Sequence, residues 1–223
     1  MTIYEQRYRA LKKQGYQAWA GEGYPRASRQ LAATLQSLQD NGILPTPGAA
    51  CLELGCGNGA MASQWLAHKG YRVYGVDISP TAICWAQEAF AAQSLAGTFQ
   101  HGDVCTLSMF GNQMFDLVFD GSCLHCLLGE QRQRCLNQVR RILKPGGIFI
   151  VSSMCGEPKL AAKQQNYDRA HYQLWQDGRP WRTLMPLPLL LQEIASHQFA
   201  VFNTQVNHNP WWDHATLCCT AAV

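Results

Sequence analysis

Seven consecutive residues, Glu53-Leu54-Gly55-Cys56-Gly57-Asn58-Gly59, constrain this chain more than any others. They follow the short apolar run Ala50-Cys51-Leu52-Glu53-Leu54 and precede a helical stretch over residues 60–69. Glycines at such a junction let the backbone turn tightly and let a ligand approach main-chain atoms that a Cβ would screen. A strand handing over directly to a helix through such a turn implies a parallel sheet covered by helices. The run also reads as Gly55-x-Gly57-x-x-Ala60, which satisfies a dinucleotide fingerprint. By itself it does not choose the ligand.

The alternation continues downstream. Further strands are expected over 71–76, 98–100, 115–119 and 147–152, with helices over 80–94 and 130–143. Pro80 stands where a first helical turn accepts proline. Upstream, residues 4–20 and 26–41 read as helices, and Pro45-Thr46-Pro47-Gly48 as a linker. Residues 156–183 are polar and rich in Tyr, Trp and Arg, which reads as an insertion over the sheet. A last helix over 187–197 precedes strands over 199–206 and 215–222. The turn between those strands is too short for a helical crossover, so they should be antiparallel. The expected division is a helical cap (1–45), a core (49–155), a cap insertion (156–186) and a final helix with two strands (187–223).

Composition narrows the class. Of 223 residues 47% are hydrophobic, enough for a sizeable core. No apolar run approaches the about 18 residues of a membrane span, and the N-terminus lacks a signal-peptide pattern, so a cytoplasmic protein with no membrane partner is expected. The net charge of +3 gives no footprint for nucleic acid. The ten cysteines are scattered, most in apolar surroundings, and read as free thiols. Charge is uneven: residues 1–30 carry six Lys/Arg against two acids, and residues 157–183 five against three.

Three carboxylates carry the cofactor argument. Glu53 stands two residues before the first glycine, where it would repel a pyrophosphate but suits a cationic amino-acid moiety and a sulfonium. Asp77 ends the second strand and can accept both hydroxyls of an adenosine ribose, which a dinucleotide would also require. Asp103 follows the third strand, where a side chain can take the exocyclic amine of adenine and the next backbone N–H, that of Val104, a ring nitrogen. Asp103 also reads as an ordinary turn residue.

With these residues in place, residues 50–152 resemble the core of the class I S-adenosylmethionine-dependent methyltransferases, small-molecule branch. The Glu-x-Gly-x-Gly-x-Gly run, Asp77 in Val76-Asp77-Ile78-Ser79, Asp103, the strand Phe115-Asp116-Leu117-Val118-Phe119-Asp120 and the turn Leu143-Lys144-Pro145-Gly146-Gly147 fall in that family's order. The resemblance implies an α/β, Rossmann-like sheet of seven strands in order 3-2-1-4-5-7-6, strand 7 antiparallel, with helices on both faces. It implies S-adenosylmethionine as cofactor, held by Glu53, Gly55, Cys56, Gly57, Gly59, Asp77, Ile78, Asp103, Val104 and Asp120. The activity implied is methyl transfer to an O, N or S atom of a small molecule. A metalloid (arsenite-type) methyltransferase, an NAD(P)-dependent oxidoreductase and a non-catalytic cofactor-binding protein stay open as rivals.

By resemblance the methyl group faces the loop Asp120-Gly121-Ser122-Cys123-Leu124-His125-Cys126-Leu127. The loop lacks the Asn/Asp-Pro-Pro-aromatic motif of base-modifying methyltransferases, which argues against nucleic-acid acceptors. His125 is the candidate catalytic residue, a proton acceptor near neutral pH. Cys123 and Cys126 have half the spacing of a zinc site, but no second pair follows, so no metal is expected. Cys155 is expected near Cys123 across the sheet, as in arsenite methyltransferases, although the N-terminal cysteines of those enzymes are missing here. Tyr8, Trp19 and Tyr24 from the cap and Arg179 from the insertion are expected at the substrate pocket. Arg7, Arg26, Arg179 or Arg182 are candidates to hold an anionic group on the acceptor.

Overall fold

A computed structural model describes residues 1–221. Its sheet begins with β1 (Ala50–Leu54), β2 (Arg72–Asp77), β3 (Thr98–His101), β4 (Phe115–Asp120) and β5 (Leu143–Cys155), all parallel. Three short strands, β6 (Tyr167–Asp168), β7 (Gln173–Gln176) and β8 (Arg179–Thr183), form a separate antiparallel sheet within the insertion. The main sheet closes with β9 (Phe199–His208) and β10 (Asp213–Ala221) in the order β3-β2-β1-β4-β5-β10-β9. β10 is antiparallel to both neighbours. This is the expected order 3-2-1-4-5-7-6. The last strand was expected to reach Ala222, which lies outside the described residues.

The helices are α1 (Ile3–Lys13), α2 (Tyr24–Asp40), α3 (Ala62–His68), α4 (Pro80–Ala92), α5 (Glu130–Ile142), the short α6 (Ala161–Gln164) and α7 (Leu187–Ser196). The first is shorter than the stretch 4–20 that its pattern suggested. Its last turn gives way to Gln14 and then to Gly15 at φ +76°, a left-handed stop. Buried side chains sort onto two faces of the sheet. Leu52, Leu54, Val118 and Phe149 pack with Leu136 and Val139 of α5 and Leu190 and Ile194 of α7. Cys51, Leu117, Phe119 and Ile150 pack with Leu35 and Leu38 of α2, Leu66 of α3 and Phe90 of α4. The period of two along each strand produces this division. No helix among the described residues is long and apolar enough to cross a membrane.

The loop after β4 is fixed from beneath by an arginine the sequence did not single out. Arg132 of α5 is 3% exposed. Its Nε and Nη2 donate to Glu193 of α7 at 2.8 and 2.5 Å, and its Nη1 donates to the Leu124 carbonyl at 2.7 Å. Replacing Arg132 by Ala leaves a largely buried carboxylate and a carbonyl without their donor. The expected cost is about 3 kcal/mol of unfolding free energy, read by urea denaturation, and Glu193→Ala alone should cost a comparable amount.

Candidate active site

At the carboxyl ends of β1, β2 and β4 the backbone is tied across strands. Cys56 N donates to Val76 O at 3.0 Å, Gly121 N to Leu54 O at 3.0 Å, and Gly57 N to Asp77 Oδ2 at 2.9 Å. Gly55 (φ +61°) and Gly57 (φ +55°) make the turn in the left-handed region. Neither has room for a Cβ: one on Gly55 would stand 2.7 Å from Cys123 Cβ, and one on Gly57 2.3 Å from the Tyr8 hydroxyl.

A cavity of about 630 Å³ opens over this turn. Its lining includes Glu53, Gly55, Cys56, Gly57, Asp77, Ile78, Asp103 and Val104 among the expected cofactor residues, and Tyr8, Trp19, Cys123 and His125 among the others. The remaining expectations fall elsewhere. Gly59 faces Phe90 and Phe99 in the core. Asp120 is fully buried and accepts from the backbone N–H of Cys123 at 2.7 Å, Leu124 at 2.9 Å and Ser152 at 3.3 Å, so it shapes the loop rather than the cavity wall. Tyr24 reaches the Ala60 carbonyl instead of the cavity. Cys155 is buried in the apolar core opposite Asp213, one residue out of phase with the cavity side of β5, so no thiol pair forms with Cys123. Arg179 stands exposed at the start of β8, whereas Arg182 of the same strand is buried and lines the cavity. Among the described residues no group of three or more His, Cys, Asp or Glu is placed to hold a metal ion.

Two buried carboxylates of the cavity lining share an electrostatic state. Glu53, 2% exposed, accepts from both the N–H and the hydroxyl of Ser63. Burial outweighs those bonds and pushes its pKa up to about 7. Asp77, 6% exposed, accepts from Gly57 N and Ser79 N, and burial lifts it to about 6. Asp103 is exposed, and its Oδ1 caps the following turn through Cys105 N at 2.8 Å. The turn role and the cavity position therefore coexist.

His125 is buried, and burial first, then the charges of Arg182, His214 and Arg132, hold its pKa well below the usual histidine value. Its Nδ1 faces the N–H of Met154 at 3.4 Å, and Nε2 has no protein partner. A neutral ring accepting at Nδ1 carries its proton on Nε2. In that state Nε2 is a hydrogen-bond donor, and the residue lines the cavity.

The cap is docked by a residue the sequence reading passed over. Glu5 of α1 is buried and accepts from Ser79 Oγ at 2.6 Å and from Thr81 N and Oγ1 at 3.1 and 2.7 Å. Ser79 and Thr81 begin α4, so the carboxylate also complements the N-terminus of that helix. Burial would raise its pKa, but the hydroxyl and backbone donors outweigh it and hold the carboxyl at about 2. Docking places Tyr8 over Gly57, and Asn58 reaches back to the Gln17 carbonyl at 2.7 Å. Tyr8, Tyr4 and Trp19 form an aromatic run, with Tyr8–Trp19 ring centres 5.1 Å apart. The signal was present as the single acid of α1, among Arg7, Arg9, Lys12 and Lys13.

Residues 52–151 match the family model described as a methyltransferase domain. With the sheet order, the match identifies this segment as a class I S-adenosylmethionine-dependent methyltransferase domain. An uncharacterized methyltransferase of Synechocystis sp. is 38% identical over 110 residues, covering 48% of this chain and 47% of that protein. The ribosomal RNA small subunit methyltransferase C of Alcanivorax borkumensis is 33% identical over 125 residues, covering 53% and 35%. The chain thus spans about half or less of the curated relatives it matches. The 1,6-didemethyltoxoflavin-N1-methyltransferase of Burkholderia thailandensis, solved with 1,6-didemethyltoxoflavin and S-adenosylhomocysteine bound, superposes with TM-score 0.69 at 20% identity, over 98% of this chain and 87% of that one.

Because the Glu5 pKa is depressed, its contribution to stability is complete above the unfolded value of about 4.5 and is lost as pH falls through about 2. At neutral pH Glu5→Ala should release α1 selectively. Hydrogen exchange should become fast for residues 3–13 while protection in β1, β4 and β5 stays native.

Proposed function

We propose that this chain transfers the methyl group of S-adenosylmethionine to an O, N or S atom of a small molecule. The observation that carries the reading is the placement of Glu53, Asp77 and Asp103 with a glycine turn in the lining of one cavity. Two of the three are buried carboxylates whose pKa values burial has raised, a state that a cationic ligand relieves. A pyrophosphate would meet Glu53 with like charge. When bound, S-adenosylmethionine supplies an electrophilic methyl on a sulfonium whose sulfur departs with the bonding pair.

The chain's own residues bind, orient and exclude water. Asp77 keeps free lone pairs on both oxygens for ribose hydroxyls beyond the two backbone bonds it accepts. Asp103 and the Val104 N–H suit the adenine edge. Glu53 faces the ammonium end through the turn. Tyr4, Tyr8 and Trp19 close the cavity from above and shield the reacting centre from bulk water. Alignment of acceptor and methyl by this enclosure can contribute on the order of 7–11 kcal/mol without a protein nucleophile. His125 orients the acceptor by donation from Nε2, and a proton that the methylated acceptor carries passes to water as the product leaves.

Calorimetry with S-adenosylhomocysteine should show micromolar-range binding, weakened about 30-fold or more in Asp77→Ala. No binding by the native protein, or binding of reduced nicotinamide nucleotide in its place, overturns the proposal. A turnover assay over an acceptor panel separates an enzyme from a binding protein. A nucleic acid as the sole acceptor would overturn the substrate class. Because ligand binding favours ionised Glu53 and Asp77, affinity should rise with pH from about 5 to 8, and protons should be released near pH 6 to 7. The observed enthalpy should then vary with buffer ionisation heat.

His125→Gln gives a second expectation. A lost general base costs about 10²- to 10⁴-fold and removes the acidic limb of the pH–rate profile. With the proton on Nε2, the expected loss is about tenfold and the profile keeps its shape, as the glutamine amide can still donate.

A further inference from the structure

The insertion brings one side chain into the cavity that the cofactor reading does not use. Arg182 of β8 is 6% exposed and lines the cavity. Its Nη1 donates to the Tyr4 hydroxyl at 3.0 Å and to the Trp181 carbonyl at 3.0 Å. Nε and Nη2 have no protein acceptor, and among the described residues no carboxylate pairs with the guanidinium. The contrast with Arg132 is direct: at 3% exposure Arg132 is held by both oxygens of Glu193 and by a carbonyl. Burying a guanidinium without a counter-ion is costly. The ring of Trp181, 3.6 Å from the Arg182 carbon, and that of Tyr4 at 5.6 Å offset only part of that cost. Both aromatic contacts also fix the plane of the fork and so pre-orient it.

The groups around this cation are neutral or already engaged. His125 and His214 are held neutral by burial, His214 at a pKa of about 4, and burial raises the Cys126 thiol. The cavity's own carboxylates, Glu53, Asp77 and Asp103, each accept backbone N–H donors at the glycine-turn end. Arg182 instead packs with β8 on the turn Leu124–Cys126, in the loop read above as facing the transferred methyl. From this geometry we infer that the methyl acceptor is an anion whose carboxylate or phosphate oxygens are bound by Nε and Nη2 of Arg182. A planar fork with two adjacent open donors is suited to bidentate recognition of such oxygens. This names the substrate class of the site proposed above and rests on that reading.

The anion of the methionine moiety of the cofactor is the competing occupant, and the test separates the two. Native protein saturated with S-adenosylhomocysteine is titrated calorimetrically at constant ionic strength with inorganic phosphate in one arm and benzoate in the other. At least one should bind saturably, with a Kd on the order of millimolar, and the arm that binds tells phosphate from carboxylate. Arg182→Met should weaken that binding about tenfold or more. Arg182→Lys keeps the charge and the fold and should bind between the two. S-adenosylhomocysteine affinity should be native in both variants. The inference is overturned if neither probe binds native protein, if Arg182→Lys and Arg182→Met bind the probe as native does, or if either variant loses S-adenosylhomocysteine instead. Native protein that fails to bind S-adenosylhomocysteine sinks the earlier reading, and the same titrations without it still report on Arg182.

Discussion

Everything at the site hangs on the backbone ties at the carboxyl end of β1. Three parallel strands end together there, and the donors that would have continued the ladder find new acceptors: Cys56 N on Val76 O, Gly57 N on Asp77 Oδ2, Gly121 N on Leu54 O. The chain turns out of β1 with Gly55 and Gly57 left-handed, so the peptide groups bend without a Cβ meeting Cys123 or Tyr8. Asp77 is therefore both a wall of the cavity and a strut beneath it. Its burial is stabilised by the two N–H groups it accepts, and those same bonds fix where its free lone pairs point.

Around that frame the cavity is closed by elements attached through buried charge. Glu5 seats α1 on the start of α4, and Arg132 joins α5, α7 and the loop after β4. Each uses an ionised group largely withdrawn from water, which is tolerable only because several hydrogen bonds converge on it. Such attachments fix position more than they add stability. The loop carrying Cys123 and His125 is held twice, by Asp120 from within and by Arg132 from outside.

The core was legible in the sequence because its signals are local. Apolar strands, glycine turns and Pro80 each act within a few residues, and the antiparallel return of β10 follows from a short turn alone. Side-chain direction was less legible. Arg179 and Arg182 share one strand, yet Arg179 is exposed at its start and Arg182 lines the cavity; the pairing with β7 skips Trp181, and such an irregularity cannot be read from residue spacing. Cys155 misses the cavity by the period of two along β5. Ser152 pairs with Thr216, and Met154 with His214; Ser152, Thr216 and His214 line the site. The three strands of the insertion were hidden for another reason. They are two to five residues long and polar, with no buried face broad enough to impose a period. The docking role of Glu5 could not be found by pattern, since apart from Arg9 its partners lie more than 70 residues away.

The cavity is electrostatically divided, and the division follows from which elements build it. The parallel core contributes acids at strand ends, where backbone N–H groups gather to hold them. The insertion contributes Arg182, where aromatic faces from Tyr4 and Trp181 hold it. Between them stand His125 and His214, two rings that burial keeps neutral, so neither end is screened by a mobile charge. Among groups buried in the cavity wall such separation is stronger than in water, because the effective dielectric there is below that of solvent. A cationic ligand is drawn to the acidic end and an anionic one to the guanidinium, and each is disfavoured at the other. The two ligands then attract one another across the site, which presses a nucleophilic acceptor toward an electrophilic methyl without demanding a charged catalytic side chain between them. A neutral His125 suits that arrangement better than a protonated one, since an imidazolium there would repel both Arg182 and the incoming cation.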